Sequence, residues 1–380
     1  MGSAARGVLN RISLVLERKK IGVEVLVSPS SILRRGMNTM REDSNSMACL
    51  TKRSTLPLLV LSAVAAIAAP PLAPPFGNWT RLSPDPIVSP RGDGFESAGT
   101  FNPAVVKEGG KFVMLYRAQD HNGTSSLGYA TSDDGIHFVR RPEPVLISET
   151  PYEKGGGVED PRLVKFGDTF YLTYTGYNNV DGIGADKKDA QLCLATSTDL
   201  VHWQRQGIIL PAYKGKWNVK WTKSGAIVPK KINGKYWMYF LADARGQDTQ
   251  MGLAYSEDLL HWTEALDHPV LSSRPGSFDS QVVEPGPPPV LTSEGIFLIY
   301  NGADDKNIYS TAWVLFDKND PTKVLARAQA PIFSPGPEWE KIGQVPNVVF
   351  VEGLVRDGGR WLFYYGGADK NVGVATALAR

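Results

Sequence analysis

Gly167-Asp-Thr-Phe-Tyr-Leu-Thr-Tyr174, followed by Ala195-Thr-Ser-Thr-Asp-Leu-Val-His-Trp203, decides the fold because both phrases recur. The first returns as Gly110-Lys-Phe-Val-Met-Leu-Tyr116, Gly234-Lys-Tyr-Trp-Met-Tyr239, Gly295-Ile-Phe-Leu-Ile-Tyr300 and Gly359-Arg-Trp-Leu-Phe-Tyr-Tyr365. The five glycines lie 57, 67, 61 and 64 residues apart. The second phrase returns as Ala130–Phe138 and Ala254–Trp262, and decays to Tyr309-Ser-Thr-Ala and Val374-Ala-Thr-Ala377. A fixed period of this length means repeated structural units. Each unit holds short aromatic or β-branched runs between Gly, Asp and Asn turns, and no amphipathic helical run of useful length intervenes. Five four-stranded units predict an all-β fold, a five-bladed β-propeller whose innermost strands line a central funnel. The His-Phe/Trp pairs recur at matched positions, so they read as turn and packing elements rather than catalytic groups.

Composition fits an ordinary globular body, with 42% apolar and 21% charged residues. Of 41 Lys and Arg, ten lie in residues 1–69, and of 39 Asp and Glu, four do, so the rest carries 31 bases and 35 acids, a net −4. That excludes a basic field for nucleic acid. Of the two cysteines, Cys49 lies in the leader and Cys193 in an apolar run, so the body has no internal disulfide. No Cys/His spacing suggests a metal site, and no glycine loop suggests a phosphate cradle, so no cofactor or metal is expected.

Lys52-Arg53, an apolar run over 56–69 and Ala66-Ile-Ala68 read as a secretory signal peptide. Met47 is a natural start for it, which makes residues 1–46 an upstream extension, with an organelle-targeting segment as the alternative. The expected organisation is therefore 1–69 leader, 70–79 Pro-rich linker and 80–380 propeller. The apolar run is too short for a membrane span, so the mature protein is expected to be exported, periplasmic or extracellular.

Polar residues interrupt the start of each unit: Phe101-Asn-Pro-Ala104, Gly157-Val-Glu-Asp-Pro-Arg162, Trp221-Thr-Lys-Ser-Gly-Ala226, Phe278-Asp-Ser-Gln-Val-Val-Glu-Pro-Gly286 and Pro346-Asn-Val-Val-Phe-Val-Glu-Gly353. Five such sites in register imply one shared pocket. Carboxylates, amides and cations, with Tyr116, Tyr174, Trp217 and Trp221 nearby, suit a sugar, which offers hydroxyls to bond and C–H faces to stack. In an extended segment neighbouring side chains alternate, so Asp160 and Glu159 are expected to diverge, Glu159 turning into the blade to fix Arg162 or nearby backbone.

At these residues the chain resembles glycoside hydrolase family 130, the β-mannoside phosphorylases and β-mannosidases. The matching pieces are Asn102-Pro103, Tyr116-Arg-Ala118, Gly157–Arg162, Lys223, Gly286-Pro-Pro-Pro289, Tyr300-Asn-Gly302 and Tyr364-Tyr-Gly-Gly-Ala-Asp369, and they run from about residue 80 to the C-terminus. The resemblance implies that Asp160 is the general acid, passing its proton through a mannose hydroxyl. It implies that Asn102, Arg117 and Asp369 bind the innermost sugar and that Lys223 matches a phosphate-binding position of the phosphorylases. Arg162, Asp279 and Asn301 join the candidate substrate-binding set. Two departures stand out. Asn301 replaces a histidine that contacts phosphate in the phosphorylases, and Glu284 stands where they are small and apolar. An inverting hydrolase needs a carboxylate base roughly 6.5–9.5 Å from its acid, whereas a phosphorylase needs none. Glu284 is the first candidate for that base and Glu352 the second. The expectation is an exported inverting hydrolase of β-mannosides acting on an oligosaccharide. The alternatives are a phosphorylase that also takes inorganic phosphate, a furanosidase using Asp160, Asp279 or Glu284, and Glu352, and a non-catalytic sugar-binding propeller.

Overall fold

A computed structural model describes residues 73–215, 217–244 and 249–380, so the leader lies outside the described residues. The short strand β1 (Thr80–Arg81) comes first. Blade 1 follows with β2 (Gly99–Glu108), β3 (Lys111–Gln119), β4 (Ser125–Ser132) and β5 (Val139–Arg140). Blade 2 is β6 (Gly155–Phe166), β7 (Thr169–Asn178), β8 (Asp189–Ser197) and β9 (Gln204–Leu210). Blade 3 is β10 (Asn218–Ile227), β11 (Tyr236–Ala244), β12 (Thr249–Ser256) and β13 (Thr263–Glu264). Blade 4 is β14 (Val282–Pro285), with the short β15 (Val290–Leu291), then β16 (Ile296–Ala303), β17 (Tyr309–Phe316) and β18 (Val324–Arg327). Blade 5 is β19 (Val349–Asp357), β20 (Arg360–Gly367) and β21 (Asn371–Leu378), completed by β1, which pairs antiparallel with β21 through Thr80 and Thr376. The expected five-bladed propeller is therefore present, and both ends of the described chain close its ring.

Each recurrent Gly-aromatic phrase forms the second strand of its blade, and the apolar residues fill five clusters, one per interface between neighbouring blades. One of them joins Leu115 and Leu127 of blade 1 to Leu163, Leu172 and Cys193 of blade 2. Another joins Val105 and Met114 of blade 1 to Val355 and Leu362 of blade 5. Burial of each such side chain contributes about 1.5–3 kcal/mol. The linker expected over 70–79 is part of this packing from Phe76 onward. Phe76 is buried and bridges Ala379, and the Pro75 carbonyl accepts the Trp361 indole N–H at 3.1 Å.

The second phrase is a turn. Ser132, Ser197 and Ser256 each bond the Asp two residues on, whose Oδ1 accepts two backbone N–H groups. His137, His202 and His261 contact the same Asp at 2.7 Å and stand in solvent.

A second repeat is absent from the sequence reading. Tyr116, Tyr174, Tyr300 and Tyr365, which end the aromatic phrase in four blades, donate to buried Glu96, Glu153, Asp279 and Glu340. An arginine of the outermost strand, respectively Arg140, Arg205, Arg327 and Arg81, meets the same carboxylate. This clasp ties the second strand, the loop before the first, and the fourth. Blade 3 lacks it: Tyr239 donates to the Pro321 carbonyl at 3.0 Å, and Trp217 packs against Phe240.

Candidate active site

The first strands of the blades do not run straight past the axis. The pairing register slips at Phe101/Pro103, Glu159/Arg162, Lys223/Ala226 and Val351/Gly353. At three of these slips a non-glycine residue takes a left-handed backbone: Asn102 (φ 48°), Asp160 (φ 51°) and Ser224 (φ 60°). Bulges of this kind re-aim side chains, and Asn and Asp tolerate the conformation best among non-glycine residues. Gly157, at φ 94°, is required here, because a Cβ would lie 2.0 Å from the Ser125 carbonyl oxygen where blades 1 and 2 meet.

The bulges deliver Asn102, Asp160 and Lys223 to one cavity of about 110 Å³, which Arg117 of β3, Glu284 of β14 and Asp369 after β20 also line. Tyr309, Val345, Val348 and Phe350 form the rest of its wall. These four were not singled out from the sequence. Tyr309 carried a signal as the degenerate copy of the second phrase, and Val348 and Phe350 lie within the blade 5 entry Pro346–Gly353.

At Asp160 both donors land on one oxygen. Asn102 Nδ2 reaches Oδ1 at 2.8 Å and Arg117 Nη1 reaches it at 3.2 Å. Oδ2 takes no protein donor among the described residues. Burial pushes the Asp160 carboxyl up, but Arg117, Lys223 and Arg162 outweigh it and hold the group below the usual carboxylate range. Asp369 differs: burial pushes it up to about 6 against the pull of Arg117. The Oδ1 of Asn102 is buried without a partner among the described residues, and a sugar hydroxyl would satisfy it.

Glu159 does diverge from Asp160, but it does not fix Arg162. Its Oε1 accepts from Arg117 Nη2 at 2.5 Å and from the Ser125 hydroxyl at 3.3 Å. The left-handed turn at Asp160 breaks the simple alternation, so both carboxylates bracket the same guanidinium.

Three candidate substrate-binding residues serve elsewhere. Arg162 is 1% exposed and lies beneath the cavity, donating to the carbonyls of Asp160, Pro285 and Gly286. Its Nη1 is 3.1 Å from Glu352 Oε1. Asn301 bonds both the N–H and the carbonyl of Val351, at 2.9 and 3.0 Å, and so ties blade 4 to blade 5. Asp279 is the clasp carboxylate of blade 4, held by Arg274, Arg327 and Tyr300. That removes it from the carboxylate trio a furanosidase would need. The aromatic expectation also changes. Tyr116 and Tyr174 are buried in clasps, Trp217 is in the core, and Trp221 packs edge-on to Tyr177.

The two candidate bases separate. Glu284 borders the cavity, with Oε1 accepting from the Ser224 hydroxyl and standing 3.6 Å from Lys223 Nζ. Glu352 borders a different cavity of about 250 Å³ with Lys107, Leu163, Pro288 and Arg356. Both its oxygens are buried without a hydrogen-bond partner among the described residues, and burial pushes its carboxyl well up. The cavity with Asp160 thus holds one further acid besides Asp369, and that acid is the buried Glu284.

Comparison with known proteins gives the family. The sequence profile of glycoside hydrolase family 130, described as beta-1,4-mannooligosaccharide phosphorylase, matches residues 87–380. The chain belongs to family 130. A family relative, the 1,2-beta-oligomannan phosphorylase of Thermoanaerobacter sp., is 40% identical over 304 residues, covering 78% of this chain and 95% of the relative. A structure solved in work on family 130 glycoside hydrolases that target beta-1,2 mannosidic linkages in Candida mannan is similar at 37% identity and TM-score 0.72, covering 82% of this chain and 98% of that one. The beta-1,2-mannobiose phosphorylase of Listeria innocua, solved with beta-1,2-mannobiose, is similar at 26% identity and TM-score 0.69, covering 80% and 97%. Family 130 membership makes this chain an enzyme acting on glycosides of the mannoside class.

Proposed function

We propose that the protein is an inverting β-mannosidase that hydrolyses short β-1,2-linked manno-oligosaccharides or glycan ends. The observation that carries this reading is Glu284, which borders the same cavity as Asp160. In the proposed step Asp160, which the neighbouring cations hold low in the free site and which therefore has to take up a proton in the substrate complex, gives that proton, through a mannose hydroxyl, to the glycosidic oxygen as the C1–O bond breaks. Water attacks C1 from the opposite face, and Glu284 takes the proton that water loses. Asn102, Arg117 and Asp369 hold the sugar.

The charge balance supports hydrolysis. Asp160, Glu284 and Asp369 face the cavity against only Arg117 and Lys223, and both cations already meet carboxylates. A phosphate dianion would add charge to an acidic pocket, and Asn301 offers it nothing because both ends of its amide are engaged. The leader motif, outside the described residues, supports export, where phosphorolysis would conserve no energy for the cell.

A second reading is the phosphorylase, favoured by the names of the curated relatives. Incubation with β-1,2-mannobiose and mannotriose, with and without inorganic phosphate, separates the two. Free mannose released at the same rate in both arms is expected. Mannose 1-phosphate formed only with phosphate would overturn hydrolysis. Asp160→Asn is expected to lower kcat by about 10²- to 10⁴-fold on unactivated substrate. A variant that turns over normally would remove Asp160 from the acid role.

A further inference from the structure

We infer that Ser224 is a positioning residue for Glu284: it pins one carboxylate oxygen so that the other is presented to the attacking water. The inference rests on the hydrolytic reading above. Ser224 and Lys223 are consecutive residues of the blade 3 bulge, and both address Oε1 of Glu284, which belongs to blade 4. Oε2 takes no protein donor among the described residues, and it is not sealed in as both oxygens of Glu352 are. The arrangement repeats that at Asp160, where Asn102 and Arg117 both address Oδ1. Each reacting carboxylate therefore has one oxygen held and one free. For a base, that fixes which lone pair meets the water and from which side.

The backbone shows what the position demands. Ser224 is 1% exposed and sits at φ 60°, where a side chain with a Cβ is strained. Glycine would relieve the strain, yet serine stands there. The strain is confined to the residue whose hydroxyl reaches across the blade boundary, the pattern expected where strained backbone serves a site. The groups that face Glu284 from other elements are Lys223 on β10, Asp243 on β11, Tyr309 on β17, Glu352 on β19, and Asp369 after β20. Ser224→Gly alters none of them, so a loss of kcat in that variant reports the lost hydroxyl.

The test compares Ser224→Gly, Ser224→Ala and Glu284→Gln on β-1,2-mannotriose. Both Ser224 variants are expected to lose about 10-fold in kcat with little change in KM, since a hydrogen bond to a charged group is lost. Ser224→Ala should also melt below Ser224→Gly while sharing its kcat, separating the backbone effect from the hydroxyl effect. If Glu284→Gln abolishes turnover while Ser224→Gly keeps the kcat and KM of the parent, the positioning role is overturned. If Glu284→Gln turns over normally, the base assignment itself fails.

Discussion

Glu159 and Asp160 share one guanidinium, yet their carboxyls move in opposite directions. Burial pushes Glu159 up to about 7 against the pull of Arg117, whereas the combined cations hold Asp160 down. Glu159 and Asp369 both have folded values above the roughly 3.9–4.3 of an unfolded chain. The stability they contribute is therefore complete below about pH 4 and is lost as pH rises through about 6 to 7. Asp369→Asn removes one of these groups. Its melting temperature should consequently fall less than that of the parent between pH 5 and 8, and parallel curves would show that Asp369 is not held this way. The identities of Asn102, Asp160, Lys223 and Glu284 as pocket residues were legible because each is polar where a buried first strand should be apolar, whereas Asp369, after the second strand of blade 5, was implied only by the family resemblance. The partner of Glu159 was not legible. Alternation along a strand fails at a bulge, and nothing in Val-Glu-Asp-Pro-Arg announces that Asp160 is left-handed.

Among elements, the clasp explains why tyrosine ends the aromatic strand in blades 1, 2, 4 and 5. The repeat was visible in sequence at its tyrosine alone. Its acid comes from the loop before the blade and its arginine from the outermost strand, at spacings that vary with loop length. Asp279 was consequently read as a funnel residue because it lies in the polar stretch Phe278–Gly286 of blade 4, although its carboxylate meets Arg274 and Arg327. Removing one partner of a buried ion pair costs about 3–5 kcal/mol. Asp279→Ala should therefore lower the chemical-denaturation midpoint strongly while leaving kcat/KM per folded molecule within about two-fold. A collapse of activity in folded Asp279→Ala would return that carboxylate to the funnel. Tyr300→Phe should show the same pattern at about 1 kcal/mol.

At the scale of the molecule, the period of the glycines was enough to count the blades, because ring closure needs a whole number of similar units. What it could not show was the closing strand. Thr80–Arg81 is only two residues long and carries no periodic signal, and its role depends on a partner at the other end of the chain. Arg81 joins that closure to the blade 5 clasp by bonding Glu340. Arg81→Ala should lower the unfolding midpoint and expose Trp339 and Trp361 fluorescence to quenching before the other tryptophans. Simultaneous quenching of all of them would mean that blade 5 has no separate weakness.

The closure also sets an order of events in time. Blades 1 to 4 are each built from contiguous chain, so their hairpins can form from local contacts as soon as their residues are available. Blade 5 cannot finish until Thr80 finds Thr376, 296 residues further along the chain. The chain must therefore keep its first strand unpaired until its last strand exists.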